Sequence, residues 1–234
     1  MNLASLPTIK RALCATGIAS LTLVALATES GAVTFEPPET SAPRQSTGGA
    51  SRSGGLCPDE LIAGGDRLVP LIPETNHGYT TVDRPTVFVY VPETSATEAY
   101  FSLEDDTQTP LFQMNVPVPA EGGLVAVELP ESAPAIEAGK EYQWYFTLKC
   151  NGRIRAGYPL VGGWISRYDG EVTVGESAID AADAYGRAGV WYDGLSALAL
   201  AAQAEPTNEM LTNSLEEFLA SAGLNDVADR IDDR

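Results

Sequence analysis

The chain has 234 residues, 14 Lys and Arg against 32 Asp and Glu, and a 44% hydrophobic composition. That apolar fraction supports a folded core and excludes wholesale disorder. A formal net charge of −18 leaves too few clustered cations for phosphate backbones or anionic lipid surfaces, so an acidic, soluble protein of one or two small domains is expected.

In chain order, Lys10 and Arg11 precede an uncharged run, Ala12 to Ala27, which Glu29 ends. The pattern predicts a signal peptide over 1–32, with a small-residue exit at Ala25-Leu26-Ala27 or Ser30-Gly31-Ala32. The run is shorter and more polar than the roughly 20 apolar residues of a membrane span. Cys14 follows Arg11 too closely for a lipoprotein signal. A secreted or periplasmic protein of the cell envelope is therefore expected, with no stable membrane insertion after cleavage and no nucleic-acid partner. Export sets the reading of the cysteines. Cys57 and Cys150 remain after cleavage, an even pair in an oxidising compartment, and predict one disulfide. Two free thiols or a metal pair are the alternatives. A single His77 and the lack of a Cys-x-x-Cys motif argue against metal.

Residues 33–55 hold Pro37-Pro38, Pro43 and a Gly48 to Gly55 stretch rich in Gly and Ser, which predicts a disordered tether. Residues 56–174 read as a β domain. Thr86 to Val91 is β-branched and aromatic between Pro85 and Pro92. Ala99, Phe101 and Leu103 alternate with Tyr100, Ser102 and Glu104; Phe112, Met114 and Val116 alternate with Gln113 and Asn115; Val125, Val127 and Leu129 form a further set. Tyr142, Trp144, Phe146, Leu148 and Cys150 share one face, with Gln143, Tyr145, Thr147 and Lys149 on the other. Period two with one wet face marks half-buried antiparallel strands. A last strand runs from Val161 to Tyr168. Glu104 to Thr107 reads as a hairpin tip, and Glu121-Gly122-Gly123 and Glu137 to Lys140 as turns. Short strands at this spacing predict an antiparallel, immunoglobulin-like β-sandwich.

Residues 175–234 change to helical spacing, so the fold class is α+β, a sandwich followed by a small helical segment. Ser177 with Asp180 three residues on resembles a capping box. Helices are predicted over 176–187, 190–204 and 208–222, with Gly189 and Pro206 as breaks and Gly223 as a C-cap. Leu211, Leu215, Phe218, Leu219 and Ala222 form the stripe of the third. Val227 and Ile231 hint at a final turn. With Pro206 as a closing proline, Tyr185, Gly189, Leu198 and Ala201 fall on the positions of one tetratricopeptide repeat, whereas Gly194 and Ala181 depart from it. One such hairpin buries its own face poorly and is expected to pack on the sandwich, on the third helix or on a partner.

Several residues together resemble a known family: Pro43-Arg44, Gly48-Gly49, Cys57, Leu71, Pro73, Pro85, Phe88-x-Tyr90-x-Pro92, Tyr142-x-Trp144, Cys150, Arg155, Gly163-Trp164-Ile165-x-Arg167, Gly189-x-Trp191-Tyr192-Asp193 and Phe218-Leu219 with Gly223-Leu224. The chain resembles the cyanobacterial domain of unknown function 928 over about 56–224. The resemblance implies an exported cyanobacterial protein and assigns neither an activity nor catalytic residues.

No reactive constellation stands out. His77 lies in Glu74-Thr75-Asn76-His77-Gly78, which reads as a turn with an exposed imidazole, and no Gly-x-Ser-x-Gly elbow, phosphate loop or dinucleotide fingerprint is present. Plentiful carboxylates leave a paired-acid glycosidase open, but nothing in the sequence sets two of them across a cleft. Asp105 and Asp106 lack the oxygen ladder of a calcium loop. No catalytic residue, metal or cofactor is therefore expected. Arg155, Arg167 and Arg187 are candidates to pair with Asp193 or with a ligand carboxylate. The expected role is an exported, non-catalytic interaction module. Tyr185, Trp191, Tyr192 and Phe218 would meet an unidentified envelope protein. A second reading is a carbohydrate- or small-ligand-binding sandwich with Tyr90, Tyr145 or Trp164 as platforms.

Overall fold

A computed structural model of the chain describes residues 1, 32–38, 57, 67–155 and 157–232. Residues 2–31 of the expected signal peptide, the 39–55 part of the expected tether and the tail residue Asp233 lie outside the described residues. Ala32–Arg234 forms one compact unit. The fold is α+β, with one antiparallel sheet, one mixed sheet and four C-terminal helices among the described residues.

The strands are β1 (Val69–Pro70), β2 (His77–Thr80), β3 (Thr86–Val91), β4 (Glu98–Asp105), β5 (Pro110–Pro117), β6 (Gly123–Glu128), β7 (Glu141–Leu148) and β8 (Leu160–Arg167). One sheet has the order β1-β3-β6 and is antiparallel; the other has the order β2-β8-β7-β4-β5. The predicted alternation sets the register. Phe101 faces Phe146 and Met114, and Leu103 faces Trp144 and Phe112, so the inward residues of adjacent strands meet as cross-strand pairs. The β4–β5 hairpin closes where the sequence places it. Asp105 Oδ1 accepts from Thr107 Oγ1 (2.6 Å) and from the Thr107 and Thr109 N–H groups (2.9 Å each). The Thr107 hydroxyl and then these N–H groups hold the Asp105 carboxyl below its usual range. Before β6, Gly122 adopts φ +71°, and a Cβ there would strike Val91 O and Pro92, so only glycine fits.

Three expectations change. Glu74 to Gly78 is not simply a turn: from His77 the chain enters β2, which pairs in parallel with β8. Four residues, one of them Gly, carry too little periodicity to announce a strand; the partner strand, 80 or more residues away, stabilises it. The far side of β7 is not wet, because Gln143 and Thr147 are buried there. The start of the 33–55 segment is not free either. Phe35 is buried edge-on against Trp191 (5.0 Å) and Phe218 (6.2 Å). The Glu36 N–H donates to Gly186 O (3.0 Å) and the Phe35 N–H to Ser221 Oγ (2.8 Å).

The helices are α1 (Ala178–Arg187), α2 (Trp191–Ala204), α3 (Glu209–Ser221) and α4 (Asn225–Asp232). Ser177 caps α1, accepting from the Asp180 N–H (3.0 Å). The buried side chains of both sheets and of the helices form one cluster running from Phe88 and Trp144 to Trp191 and Phe218. Among the described residues, no helix is long and apolar enough to cross a membrane.

Candidate functional site

The five-stranded sheet has two faces of different character. On the inner face, Gly78 lies under Trp191 and Tyr192, and a Cβ there would meet the Tyr192 ring. Trp144 Nε1 donates to Tyr192 Oη (2.7 Å), and Tyr192 Oη donates to the Trp164 carbonyl (3.1 Å). Burial pushes the Tyr192 phenol far up, so it stays protonated. Trp191 Nε1 donates to Leu71 O (2.9 Å), and Trp191 stacks on Phe218 at 5.1 Å. Asp193 is buried beside them, accepting from the Thr81 N–H (2.6 Å) and Thr80 Oγ1 (3.2 Å). Burial raises its pKa, opposed by these two donors and by nearby Arg167.

The outer face is built by the alternate residues. Register places His77 beside Trp164, Gln143 and Glu104 in one row; Tyr79, Ser166 and Glu141 in the next; and Gly162, Tyr145, Ser102 and Gln113 on the other side. A further row holds Leu160, Thr147, Tyr100 and Asn115. Tyr79, Trp164, Tyr145 and Tyr100 therefore step diagonally across β2, β8, β7 and β4, one ring per strand and one row per step. All four are half-buried. Diagonal neighbours stand about 7–8 Å apart, within reach of long side chains. Gly162 has a specific part in this. A Cβ there would press on the Trp144 carbonyl and meet Tyr145 Cδ1 at 3.0 Å, so its missing side chain lets the Tyr145 ring lie over the sheet.

Between the rings lie polar groups. Gln143, Ser102, Ser166, Thr147 and His77 are buried. His77 Nε2 and Ser166 Oγ are 2.9 Å apart, and the His77 ring meets Tyr79 edge-on at 4.7 Å. Lys149 Nζ is held by Glu98 Oε2 (2.6 Å) and Asn115 Oδ1 (3.3 Å).

The structure thus joins two of the three expected platforms, Tyr145 and Trp164, and adds Tyr79 and Tyr100. Tyr90 sits elsewhere. It lines a cleft of about 660 Å³ between β6 and α2–α4, where the Arg230 guanidinium lies 5.3 Å from its ring centre. The Gln203 side chain closes part of that cleft by donating to Leu124 O (3.2 Å). Three of the four expected partner-binding residues are corrected: Trp191, Tyr192 and Phe218 are core residues, each at most 1% exposed, whereas Tyr185 is half-buried. Their faces are used within the chain. His77 is likewise not an exposed loop imidazole. Arg167 pairs with Asp83 and Arg187 with Asp183, while Arg155 is exposed, so threonine groups rather than an ion pair hold Asp193. Among the described residues, no group of three or more His, Cys, Asp or Glu is placed to hold a metal ion. Cys57 and Cys150 form the expected disulfide, their Cα atoms 5.6 Å apart.

The family model described as Domain of Unknown Function (DUF928) matches residues 47–231. The chain belongs to this family. The DUF928 match spans every strand and helix described above except the last residue of α4. No curated protein matches the sequence. Among solved structures, this DUF928 chain is similar to the crystal structure of CopC from Methylosinus trichosporium OB3b. The two are 12% identical over 41% of this chain and 88% of that one, with a TM-score of 0.27, a likeness that carries no argument about fold or function.

Proposed function

We propose that this protein is an exported, non-catalytic envelope protein of cyanobacteria that binds carbohydrate on the outer face of its five-stranded sheet. In this reading the two sheets form an immunoglobulin-like sandwich, and α1 and α2, a tetratricopeptide-like hairpin, brace its inner face rather than recruit a partner. The supporting observation is the diagonal of Tyr79, Trp164, Tyr145 and Tyr100, half-buried on four adjacent strands. Aromatic faces supply large apolar contact at low entropic cost, and the exposed Gln113 amide at the β5 end of the Tyr145 row can fix orientation.

Trp144 and Trp191 are buried whereas Trp164 is partly exposed, so one tryptophan reports on the site. Envelope glycans are expected to change the emission saturably and to shield Trp164 from acrylamide. Trp164→Phe is expected to remove the signal. A flat titration, with Trp164 still open to quencher, overturns the reading. A second reading keeps an envelope protein as the partner and places it on the outer surface of the helices, where Leu200 and Met210 stand exposed.

A further inference from the structure

We infer that the occupant of the diagonal is a linear, uncharged glycan chain; this rests on the carbohydrate reading above and names its class. Three features of the face carry it. The first is length. Three diagonal steps of about 7–8 Å each make a track of roughly 20–25 Å, which fits an extended chain of several rings rather than one compact ligand. The second is direction. The track crosses the strands, and a sheet face offers no main-chain donors or acceptors. An extended peptide gains its affinity from just those groups and would seek a sheet edge instead. A pyranose chain needs none of them: its C–H faces lie on aromatic rings and its hydroxyls meet side-chain amides and hydroxyls.

The third feature is charge. Gln113 stands exposed at the β5 end of the Tyr145 row, and the half-buried carboxylates of Glu104 and Glu141 lie on the same face. Among the described residues, the lysine of this face, Lys149, is already bridged to Glu98 and Asn115. A uronate, sulfate or phosphate would therefore meet carboxylates on a chain of net charge −18, and like charges this close repel. An uncharged hydroxyl meets only donors and acceptors.

The test is affinity electrophoresis of the full chain after export, in gels holding soluble neutral polysaccharides (hydroxyethyl cellulose, xyloglucan, glucomannan) or anionic ones (alginate, polygalacturonate, dextran sulfate). Retardation is expected in at least one neutral gel and in no anionic gel. Tyr145→Ala and Trp164→Ala are each expected to weaken it at least tenfold. Tyr145→Phe, which keeps the ring, should restore it. Unchanged melting curves separate lost contact from lost fold. Anionic retardation that Tyr145→Ala abolishes would overturn the uncharged class and leave the platform standing. No retardation in any gel by folded protein would overturn both.

Discussion

Asp193 shows how a single residue reports on packing. It stands in the first turn of α2, where a carboxylate suits the helix dipole, yet it is buried against β2 and its pKa is raised by desolvation. The folded chain therefore holds the proton more tightly than the unfolded one. The stability this contributes is full below the unfolded value of 3.8 and is lost as pH rises through the higher folded pKa. Asp193→Asn keeps an acceptor and sheds the charge. The stability difference between wild type and Asp193→Asn, read by urea unfolding at a series of pH values, should turn against wild type as pH rises from below 4. Asp193→Ala leaves the Thr81 N–H without its acceptor and should cost about 1–3 kcal/mol at any pH. The aromatic core residues act by volume. Phe218→Ala removes a buried ring from Phe35 and Trp191 and should cost about 3–5 kcal/mol in the same measurement. The sequence shows that Trp191, Tyr192 and Phe218 are large and regularly spaced. It does not show which surface covers them, and the cover is another part of the same chain.

At the scale of elements, the strands with clean period two were legible: β3 to β8 lie where the alternation puts them, within one or two residues. So were the α1 cap at Ser177 and the glycine ends, because each depends on neighbours a few residues away. The short β2 was not. Its stability comes from pairing with β8 and from α2 lying on Gly78. Gly78→Ala should therefore disturb the helix–sheet contact, lowering the melting temperature although glycine to alanine in an open strand would stabilise. The disulfide is also an element-scale device. It closes a loop of 93 residues, and for a loop of about 100 the chain-entropy model gives about 4.7 kcal/mol. Replacing both cysteines with serine should lower the urea midpoint, with reductant reproducing the effect in wild type and adding nothing to the variant.

Across the whole molecule, sheets and helices share one core. A chain ending at Val174 would expose Leu71, Trp144 and Thr80, which Trp191, Tyr192 and Asp193 now cover. That truncation is expected to lose cooperative unfolding and to bind a hydrophobic dye, where the full chain unfolds in one transition. A truncated chain with a sharp melt would show that the sheets stand alone. The expected boundary at 174/175 follows a real change of periodicity, from two to 3.6, but that change marks a switch of element type inside one unit.

By itself the sequence determined what short-range chemistry controls: the α+β order, the alternation along β4 to β7, the tight turns between those strands, the caps and the even pair of cysteines. It also placed Tyr145 off the core face, since parity is local. Only the tertiary structure decided the rest. Whether outward residues make a site depends on strand order and register, and these join Tyr79, Tyr100, Tyr145 and Trp164 from positions up to 85 residues apart. Whether a helix offers its aromatic face to a partner depends on what else can bury it. Here the sheet and Phe35 bury it first, because apolar surface withdrawn within the chain pays no cost of association.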